Sequence, residues 1–531
     1  MISSQPHPEA ATHAFEGSPL FNEDLAPTTL AQRTWEFWSI ASLWISMSAC
    51  ITTYTLASSL ISGGMNWWQA VLTIFAGNAI VLVPMVLNGY AGTKYGIPFP
   101  VYCRASFGTR GANLPAMVRA LVACGWFGIQ TWIGGLAILA IAAQFHPEWA
   151  DATRYPKQFG ITEPQFIAFV IFWAINMIVI MLGIESIRML LNIKAPLLIA
   201  LGLALLGWAA YRAHGFGPML SAPSAFSPGQ PKAGRFWEFF FPALTGVVGY
   251  WATLSLNIPD FTRYAKTQRD QIYGQALGLP PTMALYSFIG VAVTSATSVI
   301  YGRTIWEPTE LLSKFESKTA IIISMGAIVI ATLATNIAAN VVSPANDFAN
   351  LAPRWIGFRL GGLITGLVGI AIMPWKLYAD PHGYIFTWLI GSSSLLGAVG
   401  GVLICDYWVL RRARLSIPNL FDPHGRYEYD RGVNWCAVLA VCVAVMPVIP
   451  GFIDTLSGHH LLQETPLVAV IFRNLYNYSW FVTFAISFVA YALLMIASPA
   501  TNEPIEAVVE EEVIEQPLIN LATAIPVVES I

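Results

Sequence analysis

The sequence has few charged residues, and this shortage extends over most of its length. Of 531 residues, 11% are charged and 56% are hydrophobic, whereas soluble domains carry roughly 25% charged residues. A deficit of this size indicates that lipid rather than water surrounds most of the chain. The net charge of −3 says little, because in a membrane protein the placement of Lys and Arg matters more than their sum.

Long apolar runs predict an all-α polytopic membrane protein with twelve transmembrane helices. A helix that crosses a bilayer needs about 20 mostly apolar residues. The segments that meet this criterion lie near 36–61, 66–89, 112–143, 163–183, 188–211, 238–259, 277–300, 319–342, 356–375, 384–409, 433–454 and 477–497. Residues 1–35 form a polar segment without a signal peptide, and residues 498–531 form a tail that is rich in glutamate.

The predicted spans lack the residues that form most enzyme sites and proton relays. No histidine falls in a span, and acidic residues appear only near span ends, as at Asp260 and Asp406. A buried proton relay normally needs such groups at depth, so Na⁺ coupling, or a proton path through carboxylates at span ends, is favoured. No HExxH, GxSxG or CxxC motif occurs, which argues against a membrane enzyme and against a metal site.

The distribution of basic residues predicts that both ends of the chain lie in the cytoplasm. With the N-terminus inside, most of the 27 Lys and Arg residues fall in inner loops, and Arg104, Arg119 and Arg411 are among them. This agrees with the excess of Lys and Arg that cytoplasmic loops carry. We expect a multi-pass protein of the plasma membrane, which is the inner membrane of a bacterial cell, with a solvated cytoplasmic tail.

Unusual polar and aromatic residues occur in the third and sixth spans. Trp126 and Gln130 share one helical face because they are four residues apart. An indole ring can stack on a flat heterocycle while a carboxamide pairs with its N–H and C=O groups. In the sixth span, Gly246, Gly249 and Pro259 favour a local break, and Trp251 would supply a second aromatic wall. The alternative for all of these residues is packing between helices.

The eighth and first spans also carry polar residues. Asn336 and Asn340 share one face, and small residues with Thr335 leave room for a desolvated Na⁺. Hydrogen bonding between helices is the alternative role. The first span is rich in hydroxyl groups but lacks the Gly or Pro that usually marks a break, so a break there is only weakly indicated.

These four spans correspond to one another in a known transporter architecture. Many secondary transporters consist of two inverted repeats of about five helices, with substrate bound near broken helices at the midplane. If the first ten spans form such a pair, the first corresponds to the sixth and the third to the eighth. This predicts repeats at 36–211 and 238–409, followed by two further helices at 433–497.

Ordered motifs between Asn22 and Phe452 support this architecture. They are Asn22-Glu-Asp-Leu-Ala-Pro, Gln32-Arg-Thr, Lys94-Tyr-Gly-Ile-Pro-Phe, Arg104-Ala-Ser-Phe-Gly, Gly125-Trp-Phe-Gly-Ile-Gln, Asn257-Ile-Pro-Asp-Phe-Thr-Arg, Thr335-Asn-Ile-Ala-Ala-Asn, Pro374-Trp-Lys and Asp406-Tyr-Trp. In these motifs the sequence resembles the nucleobase:cation symporter-1 family, whose members are permeases for uracil, cytosine, purines, allantoin and hydantoins. The resemblance implies the leucine-transporter fold, with a 5+5 inverted repeat plus two C-terminal helices.

The resemblance also implies roles for particular residues. Trp126 and Trp251 would sandwich the substrate ring, and Gln130 and Asn340 would form hydrogen bonds with it. The family's Na⁺ ligands map to Ser46, Ala49, Ala331, Ala334 and Thr335. Ala334 stands where sodium-dependent relatives have Ser, and the loss of one oxygen should weaken Na⁺ binding.

Two further positions near the predicted substrate site differ from the pattern of the family. Cys50 falls where relatives often carry Asn or Gln, so one polar contact would be missing or replaced. Tyr250 falls where some relatives have Gly, so its ring would narrow the pocket. Both residues are therefore included in the predicted substrate site.

We expect a secondary active transporter that imports a planar nucleobase-like or ureide substrate by cation symport and alternating access. The coupling ion would be Na⁺ or H⁺, with no cofactor and no nucleic-acid partner. The substrate within this class and the oligomeric state stay open. The alternatives are an amino-acid or amine carrier of the same fold, which usually needs a partner for the substrate's charge at depth, and a channel or sensor derived from the fold.

Overall fold

The computed structural model describes residues 15, 17–151, 153–182, 184–458 and 466–498. Within these ranges the chain is helical, and its only β pairings are isolated bridges such as Trp35 with Ala265. The described part of the chain therefore confirms the predicted all-α class. Most of the predicted C-terminal tail, residues 499–531, and the first part of the N-terminal segment, residues 1–14, lie outside the described residues.

The helices of the first half of the chain reach from the N-terminal segment to residue 257. They are α1 (Phe37–Ser48), α2 (Ile51–Gly63), α3 (Trp67–Tyr95), α4 (Phe99–Phe107), α5 (Asn113–Ala142), α6 (Glu163–Leu182), α7 (Ile184–Arg212), α8 (Phe216–Leu220), α9 (Phe236–Tyr250) and α10 (Ala252–Asn257). Short 3₁₀ turns occur at Glu23–Leu25, Leu30–Gln32 and Pro147–Ala150.

The helices of the second half begin directly after α10. They are α11 (Pro259–Thr262), α12 (Gln268–Tyr301), α13 (Pro308–Ser313), α14 (Lys318–Asn340), α15 (Val342–Leu351), α16 (Phe358–Ala371), α17 (Pro374–Leu377), α18 (Ile390–Ile404), α19 (Ile417–Phe421), α20 (Trp435–Val445), α21 (Ile449–Leu456), α22 (Pro466–Asn477) and α23 (Ser479–Ala497). Two π-helical segments, Gly383–Leu389 and Cys405–Leu410, extend α18 at both ends, and a 3₁₀ turn at Met446–Val448 joins α20 to α21.

Most of the predicted spans are long enough and apolar enough to cross a membrane. In the described residues, 8 helices satisfy this criterion by length and composition, and the bent pair α1–α2 raises the number to 9. Two shorter apolar helices, Pro196–Arg212 and Phe358–Ala371, coincide with the predicted fifth and ninth spans. The chain is therefore a multi-pass membrane protein.

Two spans are broken, and both breaks lie where a transporter site is expected. Between α1 and α2 the axis bends by 55°, because Cys50 adopts an extended backbone with φ −147° and ψ 161°. This break forms without Gly or Pro, so the sequence indicated it only weakly. The sixth span breaks at Trp251, between the end of α9 and the start of α10, as its glycines and proline predicted.

The eighth span is longer than the sequence predicted. It was expected to end at residue 342, but α15 continues to Leu351 and forms a single candidate span with α14. Its second half contains Ser343, Asn346 and Asp347, which lower the local hydropathy although all three are buried. Asp347 lies four residues before the end of this span at Leu351, so this acidic residue is also near a span end.

Two arginines that were assigned to inner loops are in fact completely buried. Arg119 lies inside α5 and contacts Asp347, while Arg104 lies in α4 and binds Asn350. Buried polar partners bind the Arg104 guanidinium through three nitrogen atoms, whereas Arg119 is bound through Nη1 alone among the described residues. The positive-inside pattern therefore rests on fewer loop residues than the sequence indicated.

Residues 17–35 lie across one end of the helix bundle, which we call the N-terminal face. Arg104 donates to the carbonyl oxygen of Leu20 at 3.0 Å and to that of Leu420 at 3.0 Å. Arg263 donates to the carbonyl oxygen of Asp24 at 3.1 Å, and Arg33 to that of Thr93 at 3.1 Å. These contacts fasten the N-terminal segment to several helices and close this face over the bundle.

Candidate functional site

The two helix breaks meet α5 and α14 at a cavity of about 30 Å³ in the middle of the bundle. All six predicted substrate-binding residues line it: Cys50, Trp126, Gln130, Tyr250, Trp251 and Asn340. The lining also includes six other residues, of which only Thr335 had been singled out from the sequence: Met47, Thr52, Thr253, Leu254, Thr335 and Ala339. The structure therefore brings together residues from four separate spans.

Tyr250 contacts both tryptophans of the predicted aromatic pair. Its ring centroid is 5.2 Å from that of Trp126 and 4.9 Å from that of Trp251, and both contacts are nearly perpendicular. The indole N–H groups of Trp126 and Trp251 are buried and have no protein acceptor among the described residues. The cavity thus presents two free donors on aromatic walls, with the tyrosine ring against both.

A second layer of aromatic side chains holds the two tryptophans in place. Trp44 packs edge-on against Trp251 at 5.3 Å, and Trp388 packs against Trp126 at 5.7 Å. Trp388 approaches closely because Gly125 has no side chain: a Cβ there would lie 2.2 Å from the Trp388 ring. Neither Trp44 nor Trp388 could be found by helical spacing, since each belongs to a different span from its partner.

The two amides of the predicted site differ in their protein contacts. Gln130 makes no hydrogen bond to any described residue, although it is only 6% exposed. Asn340 donates through Nδ2 to Oδ1 of Asn336 at 3.0 Å. Asn336 in turn donates to the carbonyl oxygen of Phe127 at 3.2 Å and to Thr131 at 3.1 Å. Asn336 therefore links helices, while Gln130 and the carbonyl oxygen of Asn340 remain available at the cavity.

A cluster of hydroxyl and thiol groups joins the two breaks. The Tyr250 hydroxyl lies 2.7 Å from Oγ1 of Thr52, 3.1 Å from Oγ1 of Thr53 and 3.2 Å from Sγ of Cys50. Tyr250 ends α9, and the other three residues lie at the start of α2. This cluster couples the positions of the two breaks and fixes the Tyr250 ring.

Of the five predicted cation ligands, Thr335 lines the cavity. Ser46 is on α1, Ala49 directly follows that helix, and the other three residues are on α14. Oγ1 of Thr335 donates to the carbonyl oxygen of Ala331 at 2.9 Å. Ala334 is completely buried and supplies no side-chain oxygen. The three predicted residues on α14 therefore offer one side-chain oxygen, that of Thr335, which is fewer than the two hydroxyls that the resemblance implies for a Na⁺ site.

Aromatic residues cover the cavity on the face opposite the N-terminal face. Trp306 packs on Tyr378 at 5.0 Å, Tyr378 packs on Tyr384 at 5.6 Å, and Tyr384 reaches Trp126 at 6.3 Å. The hydroxyl of Tyr378 is also 2.8 Å from that of Thr55 on α2. The aromatic cover lies on one side of the cavity and the N-terminal segment lies across the opposite end of the bundle.

A carboxyl group stands at the edge of this aromatic cover. Glu307 is half-buried and accepts hydrogen bonds from the backbone N–H groups of Thr309 at 3.0 Å and Glu310 at 2.7 Å. Burial raises the pKa of the Glu307 carboxyl from its ordinary value. This group lies outside the membrane-spanning helices, and its raised pKa makes it a candidate for pH-dependent behaviour.

A polar and aromatic cavity where two broken helices meet, inside a multi-pass bundle, is typical of secondary transporters. Comparison with known proteins agrees with this class. Residues 27–483 match the family described as permeases for cytosine/purines, uracil, thiamine and allantoin. The chain belongs to this family, whose members are transporters and not enzymes.

Characterised relatives resemble the chain over nearly its full length. A purine-uracil permease of Arabidopsis thaliana is 42% identical over 500 residues, which cover 93% of this chain and 81% of the relative. An allantoin permease of Bacillus subtilis is 38% identical over 499 residues, which cover 94% and 98%. The family predicted from the sequence motifs is thus confirmed.

Solved structures of the transporter Mhp1 share the fold. Its inward facing conformation has 26% identity and a TM-score of 0.72, with 92% of this chain and 97% of Mhp1 covered. A closed conformation of Mhp1, a nucleobase-cation-symport-1 family transporter with bromovinylhydantoin bound, has 26% identity and a TM-score of 0.70. This alignment covers 91% of this chain and 98% of Mhp1.

Proposed function

We propose that this protein imports a planar, uncharged nucleobase-like or ureide compound across the plasma membrane by cation symport and alternating access. The observation that carries the proposal is the cavity: every residue selected from the sequence for substrate contact lines it. The names of the relatives point to the same class, since they include purine, uracil and allantoin, and Mhp1 was solved with a hydantoin bound.

In the proposed complex the substrate ring lies against the indole rings of Trp126 and Trp251. Stacking on aromatic faces suits a flat heterocycle. The carboxamides of Gln130 and Asn340 have both donors and acceptors and read the N–H and C=O groups of the ring. Because the cavity is only about 30 Å³, Tyr250 and the two indoles move apart to admit the substrate.

The proposed topology has twelve spans with the N-terminal face in the cytoplasm. Spans within 36–211 and 238–409 form two inverted repeats, and helices within 433–497 follow them. The break between α1 and α2 and the break at Trp251 occur in the first span of each proposed repeat, as such symmetry requires. Arg33 and Arg263 on the N-terminal face agree with a cytoplasmic location.

The coupling cation is Na⁺ or H⁺. The residue at position 334 bears on this choice because it determines whether the proposed Na⁺ site has a second side-chain oxygen. Hard cations such as Na⁺ need several oxygen ligands, and affinity depends on their number. Thr335 and the backbone carbonyls of Ser46, Ala49 and Ala331 supply part of such a set. We therefore expect weak dependence of wild-type uptake on Na⁺.

Ala334→Ser should create a clear response to Na⁺. The new hydroxyl would stand beside Thr335 and supply the missing oxygen without a large change in volume. We expect uptake at low substrate concentration to rise several-fold when choline is replaced by Na⁺, whereas the wild type changes little. Ala327→Ser, on the same helix but outside the proposed set, is the control. Equal Na⁺ responses of Ala334→Ser and the wild type would refute the proposed location of the cation site.

Uptake of radiolabelled uracil in cells that express the chain tests the proposed substrate class. Unlabelled allantoin, hydantoin, cytosine, adenine and guanine serve as competitors, each with and without Na⁺. Saturable uptake that one compound blocks would identify the substrate. An absence of uptake and of competition across the panel would leave the fold but remove the proposed substrate class.

A further inference from the structure

A buried ion pair lies between the cavity and the N-terminal face. Nη1 of Arg119 on α5 donates to Oδ2 of Asp347 on α15 at 3.1 Å, and both side chains are 0% exposed. Arg119 precedes Trp126 by about two helical turns, and Asp347 follows Asn340 by a similar distance along the eighth span. At 1.5 Å per residue the pair is roughly 10 Å from the cavity. The pair therefore lies in the interface of α5 and α15, between the cavity and the N-terminal face.

This ion pair is incompletely satisfied. Oδ1 of Asp347 and both Nε and Nη2 of Arg119 are buried without a hydrogen-bond partner among the described residues. Burying charges is costly unless they are both paired and fully hydrogen-bonded. Because three polar atoms of this ion pair have no hydrogen-bond partner among the described residues, the two side chains can form different contacts at other stages of the transport cycle.

A second Asp–Arg pair, formed by Asp406 and Arg411, is built differently. Asp406 accepts hydrogen bonds from Nε of Arg411 at 2.7 Å, from Ser106 at 3.1 Å and from Tyr491 at 2.7 Å. Arg411 also donates to the carbonyl oxygen of Ala105 at 2.8 Å. This saturated network is what a permanent structural contact requires, and the contrast separates Asp347 from an ordinary buried carboxylate.

Few other ionisable groups face Asp347. Arg119 is its ion-pair partner, and Asp260 after α10 and Cys103 on α4 are close enough to interact with it electrostatically. Arg104 on α4 binds Asn350, one turn further along α15. The other charged residues on α14 and on the elements packed against α14 and α15 are these: Glu23, Asp24, Glu163, Glu185, Arg188, Lys194, Arg212, Glu310, Lys318 and Arg359. A change of charge at Asp347 therefore acts mainly on its contact with Arg119.

We propose that Asp347 carries the coupling proton and that Arg119 is its partner in the deprotonated state. This inference rests on the symport function proposed above. A hydronium ion from water in the outward-open cavity gives its proton to Oδ1, which leaves a neutral carboxylic acid and a water molecule. The acid loses its charge attraction to Arg119, so α5 and α15 separate at the N-terminal face. Water that enters there accepts the proton, and the carboxylate pairs with Arg119 again.

A hydrogen bond between α15 and the sixth span would transmit the movement of α15 to that span. Asn257 at the end of α10 donates a hydrogen bond to Ser343 on α15. Asp260 accepts from the backbone N–H of Phe99 at 2.8 Å. Movement of α15 therefore pulls on the inner half of the broken sixth span, whose other end carries Trp251. Proton release and opening of the substrate cavity are thereby connected.

Asp347→Asn tests the proposal in proteoliposomes that contain the purified protein. The labelled probe is the panel compound that the wild type transports, and accumulation driven by an acidic exterior is compared with exchange at equal pH. We expect the wild type to accumulate substrate several-fold above equilibrium. The variant should show no accumulation but should keep exchange within about twofold of the wild type. Accumulation by Asp347→Asn equal to that of the wild type would overturn the proposal.

Two controls separate coupling from folding and from other titrating groups. The single variant Asp347→Asn leaves the charge of Arg119 unpaired. If this variant for that reason fails to fold, the double variant Arg119→Gln/Asp347→Asn, which removes both charges, is used instead. It should show the same exchange without accumulation. Glu307→Gln removes the half-buried carboxyl near α13 and should keep normal accumulation; a loss of coupling in that variant instead would also overturn the proposal.

The wild type itself can also contradict the proton site. If the wild type accumulates substrate with a Na⁺ gradient alone and does not accumulate it with an acidic exterior, the proton site is rejected but the transport function stands. If the wild type transports no compound of the panel, both the proton site and the proposed transport function are rejected.

Discussion

Replacing both Gln130 and Asn340 by Ala is expected to abolish uptake, with a decrease of at least about 100-fold. In the proposed complex each carboxamide provides hydrogen bonds to a polar ring inside a largely buried cavity. A buried polar group of the substrate that loses its partner costs about 1–3 kcal/mol, and two such losses combine to about 100-fold or more, because 1.4 kcal/mol is a factor of ten. The measurement is initial uptake per folded transporter, with surface protein quantified in the same cells.

The structure indicates that this double variant folds. Gln130 has no hydrogen bond within the described residues, and Asn340 contributes only its contact with Asn336. Gln275→Ala is the matched control, since Gln275 is a completely buried amide on α12 that donates to Gln271 at 2.6 Å and lies outside the cavity lining. It should lower stability and keep uptake per folded molecule. If the double variant takes up substrate as well as Gln275→Ala does, the site is wrongly placed.

Arg104→Ala should have the largest effect on folding, with a loss of roughly 3–5 kcal/mol. Its guanidinium group is completely buried and binds Oδ1 of Asn350 at 2.7 Å and the carbonyl oxygens of Leu20 and Leu420, each at 3.0 Å. Truncation leaves these acceptors without a donor and opens a void under the N-terminal segment. Folded protein, measured by size-exclusion chromatography in detergent after heating, should fall to a small fraction of the wild type.

Arg426→Ala is the control for this effect. Arg426 belongs to the same face but is exposed, and surface substitutions usually change stability by less than about 0.5 kcal/mol. A folded yield of Arg104→Ala that matches that of Arg426→Ala would show that the N-terminal segment is not fastened through Arg104. Such a result would also weaken the view that residues 17–35 close this face.

Local patterns in the sequence were sufficient for the helices and for much of the cavity. Trp126 and Gln130 are one turn apart on one helix, so their shared face follows from helical geometry alone. Glycines and Pro259 marked the sixth-span break for the same local reason. Placing Trp126, Trp251 and Asn340 around one substrate required the resemblance to the family, because no local pattern relates different spans.

The features that sequence reasoning missed depend on contacts between distant segments. Asp347 lowered the apolar score of the eighth span, so the span was ended too early, and only its contact with Arg119 explains how it is buried. Trp388 is far from Trp126 in the sequence, and its position depends on the small size of Gly125. The break at Cys50 is stabilised by hydroxyl groups, including that of Tyr250 on another span. A single sequence contains no signal for such pairs.

Counterflow in proteoliposomes tests the central claim most directly. Vesicles with the purified protein are loaded with a high concentration of unlabelled substrate and diluted into a trace of the same compound in labelled form, with no ion gradient. Alternating access of one cavity predicts a transient accumulation of label inside, which then decays as the unlabelled pool leaves. Label that rises only to equilibrium would indicate a channel, and label that stays outside would indicate a protein that binds without transport; either result would contradict the account.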